Sequence, residues 1–182
     1  MPFALTVDQI DSRHDTDRVD RAVHELQGLL TDPVSVVDAI LMLMRNEHWH
    51  IGLGIGPVEE PLPAETRSAR GAAFLSARAA VERAKADPSH VAVVASADPE
   101  HFAADAEAGF RLLAAVRSRR TDQGWQAIDQ MNRSRSQQEA AAALGVSRQA
   151  ISQRLQAAQW SAEAIAVPLL TRLLQRADAA AT

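Results

Sequence analysis

The sequence predicts a protein in two parts, a small α/β domain followed by an all-helical domain. Up to about residue 96, short apolar runs typical of buried strands alternate with helical periodicity, and after Asp98 only helical periodicity remains. Charge divides at a similar place: residues 1–110 contain nine Lys and Arg against 18 Asp and Glu, whereas residues 111–160 contain eight Arg against three acidic residues. The expected parts are a first domain over residues 1–97, a long connecting helix over 98–120 and a second domain over 121–182.

The composition excludes several classes of protein. The chain of 182 residues has no cysteine, which excludes disulfides and thiolate metal sites and fits a reducing compartment. The sequence does not open with a basic segment followed by an apolar run, and no stretch approaches the ~18 apolar residues of a membrane span. We therefore expect a cytoplasmic protein that does not cross a membrane.

Local patterns predict the first elements of the α/β domain. The apolar run from Phe3 to Val7 predicts a buried strand. From about Asp17 to Leu30, apolar residues recur on one helical face and predict a helix. Asp32 and Pro33 then provide a cap and a first-turn proline for a second helix, which ends near Arg45.

Strand and helix then alternate once more. The segment "WHIGLGIGPV", residues 49–58, predicts a strand that ends in a Gly-Pro turn. Residues 71–86 predict a helix with Phe74, Ala77 and Val81 facing inward. The segment "HVAVVA", residues 90–95, predicts a buried strand.

The second half of the chain predicts a series of helices. Asp98 is expected to cap a long helix that continues to Arg120, and a further helix begins near Asp122 with Trp125, Ile128 and Met131 on one face. The last helix should run from a cap at Ser161 to about Ala177. Pro168 is expected to kink or split it.

Residues 136–155 carry the features of two short helices joined by a tight corner. Ser136 and Glu139 have the spacing of a capping box, and Gly145 supplies the residue that can adopt positive φ at the end of the first helix. Val146 is expected to fill the corner and Ser147 to cap the second helix. Two apolar pairs at helical spacing predict the buried faces, Ala140 with Leu144 and Ile151 with Leu155.

Polar residues are expected on the opposite face of the second of these helices. Side chains of these types hydrogen-bond to base edges in the DNA major groove, Arg to guanine and Gln to adenine. The predicted base-contacting residues, together with the cap, are Ser147, Arg148, Gln149, Ser152, Gln153 and Gln156. The predicted phosphate contacts are Arg133 and Arg135, with Arg117, Arg119 and Arg120 beside them.

The segment "AAAALGVSRQAISQRL" resembles the helix-turn-helix of bacterial sigma factors and related transcription regulators. The resemblance covers about 25 residues and implies that the second helix lies in the major groove. The net charge of -4 for the whole chain does not oppose this, since ionic screening beyond roughly 8 to 10 Å makes the local basic charge decisive.

A second resemblance rests on three segments of the first half: "ALTVDQIDSR", "WHIGLGIGPVEEPLP" and "RGAAFLSARAAVERAK". They resemble the SatD family, which consists of bacterial proteins with a distant likeness to the palm domain of class III nucleotide cyclases. The resemblance implies a palm-like, ferredoxin-like fold, in which two Asp residues hold Mg²⁺ ions that clamp a triphosphate. Asp8 falls at the first of these positions. At the second, where the family has Gly-Asp-Glu-x-Gln-Gly, this chain has Val23-His24-Glu25-Leu26-Gln27-Gly28, and Leu75 lies near the position of a cyclase Asn. We therefore expect no cyclase activity and no cofactor.

Two groups of residues are candidate metal ligands in the α/β domain. Asp8 and Asp11 flank a strand end, although loop carboxylates more often shape turns. Glu47, His48 and His50 lie together at the start of the next predicted strand, although such histidines are usually surface residues.

The function predicted from the sequence is sequence-specific binding of double-stranded DNA by a bacterial transcriptional regulator. A homodimer is expected because one helix-turn-helix rarely reaches specific affinity alone. Its interface is expected on the helix after Asp98, on a sheet edge, or on the helix after Ser161 with Ile165, Leu169, Leu170, Leu173 and Leu174.

Two alternative functions remain open at this stage. One is a nucleotide-sensing or weakly catalytic palm domain with an accessory helical domain, which calorimetry with nucleoside triphosphates and Mg²⁺ would detect. The other is a protein-interaction module that contacts a partner such as RNA polymerase. Gel shifts on genomic fragments would distinguish this module from a DNA-binding protein.

Overall fold

A computed structural model of the chain describes residues 2–10, 25–46, 49–62 and 69–181. Within them the protein is a mixed α/β structure with one four-stranded sheet and seven helices. The elements are β1 (Phe3–Gln9), β2 (Glu25–Leu30), α1 (Pro33–Arg45), β3 (Trp49–Ile55), α2 (Ala72–Lys85), β4 (Val91–Ala95), α3 (Phe102–Arg117), α4 (Asp122–Arg133), α5 (Gln137–Leu144), α6 (Arg148–Ala157) and α7 (Trp160–Ala180). No helix among these is long and apolar enough to span a bilayer.

The chain divides into two compact units. The α/β unit comprises the described residues of Met1–Arg111 and Leu169–Thr182, and the helical unit comprises Leu112–Pro168. The C-terminal half of α7 thus groups with the α/β unit, which differs from the domain boundaries expected from the sequence. Leu170 and Leu174 are fully buried there, and Leu170 lies against Gly109 of α3.

The sheet has the strand order β2-β1-β3-β4. β1 is antiparallel to both of its neighbours, and β3 and β4 are parallel. The parallel pair requires a crossover, which α2 provides. The polar C-terminal end of β1 therefore lies beside the N-terminal end of β3, with Asp8 directly opposite His50.

The helix expected over residues 17–30 is wrong in its second half. Residues 25–30 form β2, which pairs along its whole length with β1, from Phe3 opposite Leu30 to Asp8 opposite Glu25. The apolar spacing fits a helix, but the ladder of hydrogen bonds to a distant strand determines the conformation here. Residues 17–24 of that prediction lie outside the described part of the chain.

The other predicted elements of the α/β unit are found. Asp32 caps α1 by accepting hydrogen bonds from the amides of Val34 and Ser35, and Pro33 occupies the first turn. The three α2 residues expected to face inward, Phe74, Ala77 and Val81, are buried. Asp98 accepts hydrogen bonds from the Ala103 and Ala104 amides, but α3 begins only at Phe102 and ends at Arg117, so the connecting helix is shorter than expected.

The glycines of β3 allow α2 to lie directly on the strand. A Cβ atom on Gly52 would lie 2.3 Å from the Val81 backbone nitrogen, and one on Gly54 would lie 2.0 Å from the Ala73 carbonyl oxygen. Any larger side chain at either position would collide with the helix backbone. The "GLGIG" segment is therefore a close-packing surface for α2.

Glu107 of α3 joins three elements of the α/β unit. One carboxylate oxygen accepts a hydrogen bond from the Val93 amide of β4 at 2.7 Å. The other lies 2.7 Å from Arg83 Nη2 of α2 and 2.9 Å from Arg111 Nη2. The buried carboxylate is therefore fully engaged, as a buried charge must be.

Candidate nucleic-acid interface

The caps predicted for α5 and α6 are present, with one difference. Ser136 Oγ accepts from the Glu139 amide, and Ser147 Oγ accepts from the Ala150 amide. The Glu139 carboxylate accepts from the amide of Arg135, one residue before the position expected in a capping box. Each helix start thus has its free amides partly satisfied by side chains of its own segment.

The turn between α5 and α6 has the conformation expected for its glycine. Gly145 adopts φ 65° and ψ 32°, in the left-handed region, and the Val146 amide donates to the Ala141 carbonyl oxygen. Val146 is partly buried against the core of the helical unit. The chain therefore ends one helix and begins the next within three residues.

Helices α4, α5 and α6 share one small apolar core. Its fully buried members come from all three helices: Ala127, Ile128, Ala140, Ala141, Ile151, Leu155 and the adjoining Ala158. The expected supporting residues Trp125, Met131 and Leu144 are partly buried against it. The alanines allow the close helix approach that so small a core requires.

The five predicted base-contacting side chains of α6 are all exposed. These five residues follow one another at intervals of one and three positions, so they form one broad stripe along the helix: Arg148, Gln149, Ser152, Gln153 and Gln156. The stripe adjoins the buried face that contains Ile151 and Leu155. It begins at the first helical residue, immediately after the Ser147 cap. The structure thus brings together side chains with several donors and acceptors on one accessible helix face.

Arg133 and Arg135, the predicted phosphate contacts, are also exposed. Arg133 is the last residue of α4, and Arg135 lies in the short connection before α5. Arg119 is exposed as well.

Arg117 and Arg120 are not available as phosphate contacts, contrary to the expectation. Both are buried, and each pairs at 2.7 Å with one carboxylate oxygen of Glu163. Both guanidinium groups also lie over the Trp125 ring, 4.8 and 4.7 Å from its centroid. The two arginines thus link Glu163 of α7 to Trp125 of α4.

Arg154 was missed by the sequence reasoning. It lies between the exposed Gln153 and the buried Leu155, and it is half-buried beside an open cavity that also has Gln153 in its wall. A basic residue next to Gln153 in the sequence was the available indication.

The metal-ligand candidates of the α/β unit do not converge in the described residues, where no group of three His, Asp or Glu has the arrangement of a metal site. Asp8 Oδ2 instead pairs with Lys85 Nζ at 2.7 Å, and this hydrogen bond raises the pKa of Lys85. Asp11, Glu47 and His48 lie outside the described part of the chain.

The β3–β4 pairing creates a histidine contact that the sequence did not predict. His50 and His90 precede paired residues of the two strands, and their Nδ1 atoms are 3.1 Å apart. The pKa of His50 is lowered below its ordinary value, first by burial and then by the charge of His90 and of Lys85. A hydrogen bond to the Ala84 backbone and the charge of Asp8 raise it, but by less. The folded protein therefore disfavours the charged form of His50.

This pair predicts acid sensitivity of the α/β unit. The pKa of His50 is lower in the folded protein than the ordinary histidine value of about 6.5 in the unfolded chain. Between these two pKa values the unfolded chain binds a proton at His50 more readily than the folded chain does. The free energy of unfolding should therefore fall as the pH decreases from about 6.5 to the folded pKa. Urea unfolding across this window measures the slope. His50→Gln should reduce it, whereas His101→Gln, at an exposed position, serves as the control. An unchanged slope in His50→Gln would contradict the assignment.

Comparison of the chain with protein-family models, with curated proteins and with solved structures found no match. What the chain can do is therefore inferred from its own residues.

Proposed function

We propose that this chain is a sequence-specific double-stranded DNA-binding protein, acting as a transcriptional regulator, with α6 in the major groove. The observation that carries the proposal is that α6 buries Ile151 and Leu155 and leaves five polar side chains exposed: Arg148, Gln149, Ser152, Gln153 and Gln156. The arginine and glutamine side chains can form the bidentate hydrogen bonds by which proteins distinguish bases, and the serine hydroxyl can add a single one. The turn at Gly145 and the core that α6 shares with α4 leave this helix face exposed, which favours the proposal.

Base contacts and phosphate contacts should separate by mutation. Arg148 and Gln149 lie in the first turn of α6, where a helix in the major groove comes nearest the base edges. Replacing either with alanine should therefore cost ~1 to 3 kcal/mol of binding free energy on the target site and little on random DNA. Arg133→Ala or Arg135→Ala should weaken binding to all sequences alike and reduce the salt slope by about one unit.

The experiment begins with genomic immunoprecipitation and sequencing to obtain the target site. Fluorescence anisotropy then measures the four variants on that site and on a scrambled duplex at several salt concentrations. If Arg148→Ala and Arg135→Ala lower both affinities by the same factor, α6 does not lie in the major groove.

The proposal gives the α/β unit no catalytic role, in keeping with a SatD-like palm that has lost its metal site. Two features favour this interpretation. The Asp8 carboxylate, at the position of a palm metal ligand, pairs with Lys85 at 2.7 Å. Leu75, near the position of a cyclase Asn, has an apolar side chain that cannot stabilise a transition state by hydrogen bonding. Cyclic nucleotide formed by the purified protein, and lost in Asp8→Ala, would contradict it.

We further propose that the protein binds DNA as a homodimer through exposed apolar helix surface. Of the five α7 residues proposed from the sequence, Leu170 and Leu174 are buried within the chain, whereas Ile165 is 77% exposed and Leu169 remains exposed. Leu112 of α3 is 70% exposed. Ile165 and Leu169 are four residues apart in α7, and contiguous exposed apolar surface, unlike a single exposed side chain, marks association sites.

Self-association is therefore expected at micromolar concentration. Sedimentation equilibrium should give a dimer for the wild-type chain, and Ile165→Lys should shift it to a monomer because a charge cannot be buried unpaired in an apolar contact. Glu82→Lys, an exposed change on α2, is the control. A wild-type monomer at this concentration would exclude the dimer.

A further inference from the structure

An open cavity of about 400 Å³ lies in the helical unit, between the N-terminus of α4 and the C-terminal half of α6. Its volume falls in the lower part of the ~300 to 1,000 Å³ range of ligand pockets. Its polar wall consists of the three arginines at 119, 120 and 154, with Thr121, Gln123 and Gln153. None of the described residues that line it is acidic.

The arginines of the wall have different roles. The Arg120 side chain is 1% exposed; it pairs with Glu163 through Nη2 and donates from Nε to the Ala158 carbonyl oxygen at 2.8 Å, which leaves its buried Nη1 without a hydrogen-bond partner among the described residues. Arg119 is exposed and Arg154 is half-buried, and the structure shows no carboxylate partner for either among the described residues. Two guanidinium groups thus remain able to bind an anion in the cavity.

The N-terminus of α4 contributes to the same wall. Thr121 Oγ1 accepts from the Gly124 amide, which satisfies one of the first-turn amides, and Gln123 lies in this turn. The amides and the dipole of a helix N-terminus favour negative charge beside them. Dipole and guanidinium charges therefore attract the same kind of ligand.

Gln153 connects the cavity to the proposed DNA-contacting surface, because it belongs both to the exposed stripe of α6 and to the cavity wall. In the proposed complex, with Gln153 facing the major groove, the cavity wall that it shares would face the edge of the groove, where the DNA backbone runs. We propose that the cavity is a phosphate-binding site that holds a backbone phosphate of the bound duplex between Arg119, Arg154 and the α4 N-terminus. This inference rests on the proposed function and adds a specific anchor to it.

The test uses the full chain, a random-sequence duplex and anisotropy titrations over a series of NaCl concentrations. Arg119→Gln and Arg154→Gln should each reduce the slope of log affinity against log salt by about 0.9, since each removes one phosphate contact. Arg154→Lys should retain the slope because it keeps the charge. Arg172→Gln, an exposed arginine of α7, is the matched control and should leave the slope unchanged. Circular dichroism melting of every variant separates lost binding from lost folding.

The outcomes distinguish this site from the function on which it rests. If the wild-type chain binds duplex and Arg119→Gln and Arg154→Gln behave like Arg172→Gln, the phosphate site is wrong and DNA binding stands. If the wild-type chain binds no duplex, both are wrong. Calorimetric titration with inorganic phosphate and with ATP tests whether the bound anion is a free phosphate. If either binds at millimolar concentration or tighter, and Arg154→Gln abolishes this binding but leaves duplex binding unchanged, the cavity does not hold a phosphate of the DNA backbone.

Discussion

Replacing Gly54 with alanine is expected to lower the free energy of unfolding of the α/β unit by about 3 kcal/mol, the upper end of the usual range for overpacked cores. The added Cβ would lie 2.0 Å from the Ala73 carbonyl oxygen and 2.3 Å from the Ala77 amide nitrogen. Both are backbone atoms of α2, so no side-chain rotation can relieve the collision. The helix would have to move away from the sheet and lose its contact with β3.

Gly28→Ala is the matched control for this change. Gly28 also lies in a strand, but no atom of the described residues lies within 4 Å of the position of its added Cβ. Alanine there should be neutral or slightly stabilising, because it restricts the unfolded chain. Hydrogen exchange of the β3 and β4 amides measures the local stability of both variants. Equal protection in Gly54→Ala and Gly28→Ala would refute the close-packing role of Gly54.

Glu163→Gln is expected to cost the helical unit about 3 kcal/mol, because removing one partner of a buried ion pair leaves an uncompensated charge. Here a single carboxylate balances two guanidinium groups, those of Arg117 and Arg120, each at 2.7 Å. Glutamine keeps the size of the side chain and removes the charge. The two arginines would then repel each other beside Trp125 without a counter-ion.

Hydrogen exchange in α4 and α6 measures this loss, since both helices belong to the helical unit. Glu82→Gln is the control, because Glu82 pairs with Lys85 at a side chain that is 68% exposed, and exposed pairs contribute ~0 to 1 kcal/mol. If the helical unit of Glu163→Gln is as protected as that of Glu82→Gln, the ion pairs do not stabilise it.

The sequence predicted the features of this protein that depend on neighbouring residues. Features that follow from spacings of four residues or fewer were all predicted: the caps at Ser136 and Ser147, the positive φ of Gly145, and the buried pair of Ile151 and Leu155. Such relations are fixed by helix geometry alone. The α5–α6 part of the candidate site could therefore be predicted in detail.

The features that were missed depend on contacts between distant residues. β2 forms because it pairs with β1, which no helical periodicity in residues 25–30 reveals. Arg117 and Arg120 were expected to be free, but burial against Glu163, more than 40 residues away, removes them from the surface. His50 and His90 meet only because β3 and β4 are parallel neighbours. In each case the partner is determined by the tertiary fold.

Glu107 also affects how the molecule behaves towards other copies of itself. β4 is the last strand of the described sheet, and the outward amides of such a strand can template the addition of a foreign strand. The Val93 amide is already bound by the Glu107 carboxylate at 2.7 Å. An incoming strand would have to break that charge-assisted bond and meet a carboxylate held in place by Arg83 and Arg111. The middle of this edge is thereby protected against intermolecular β-sheet growth, which is the first step towards aggregation.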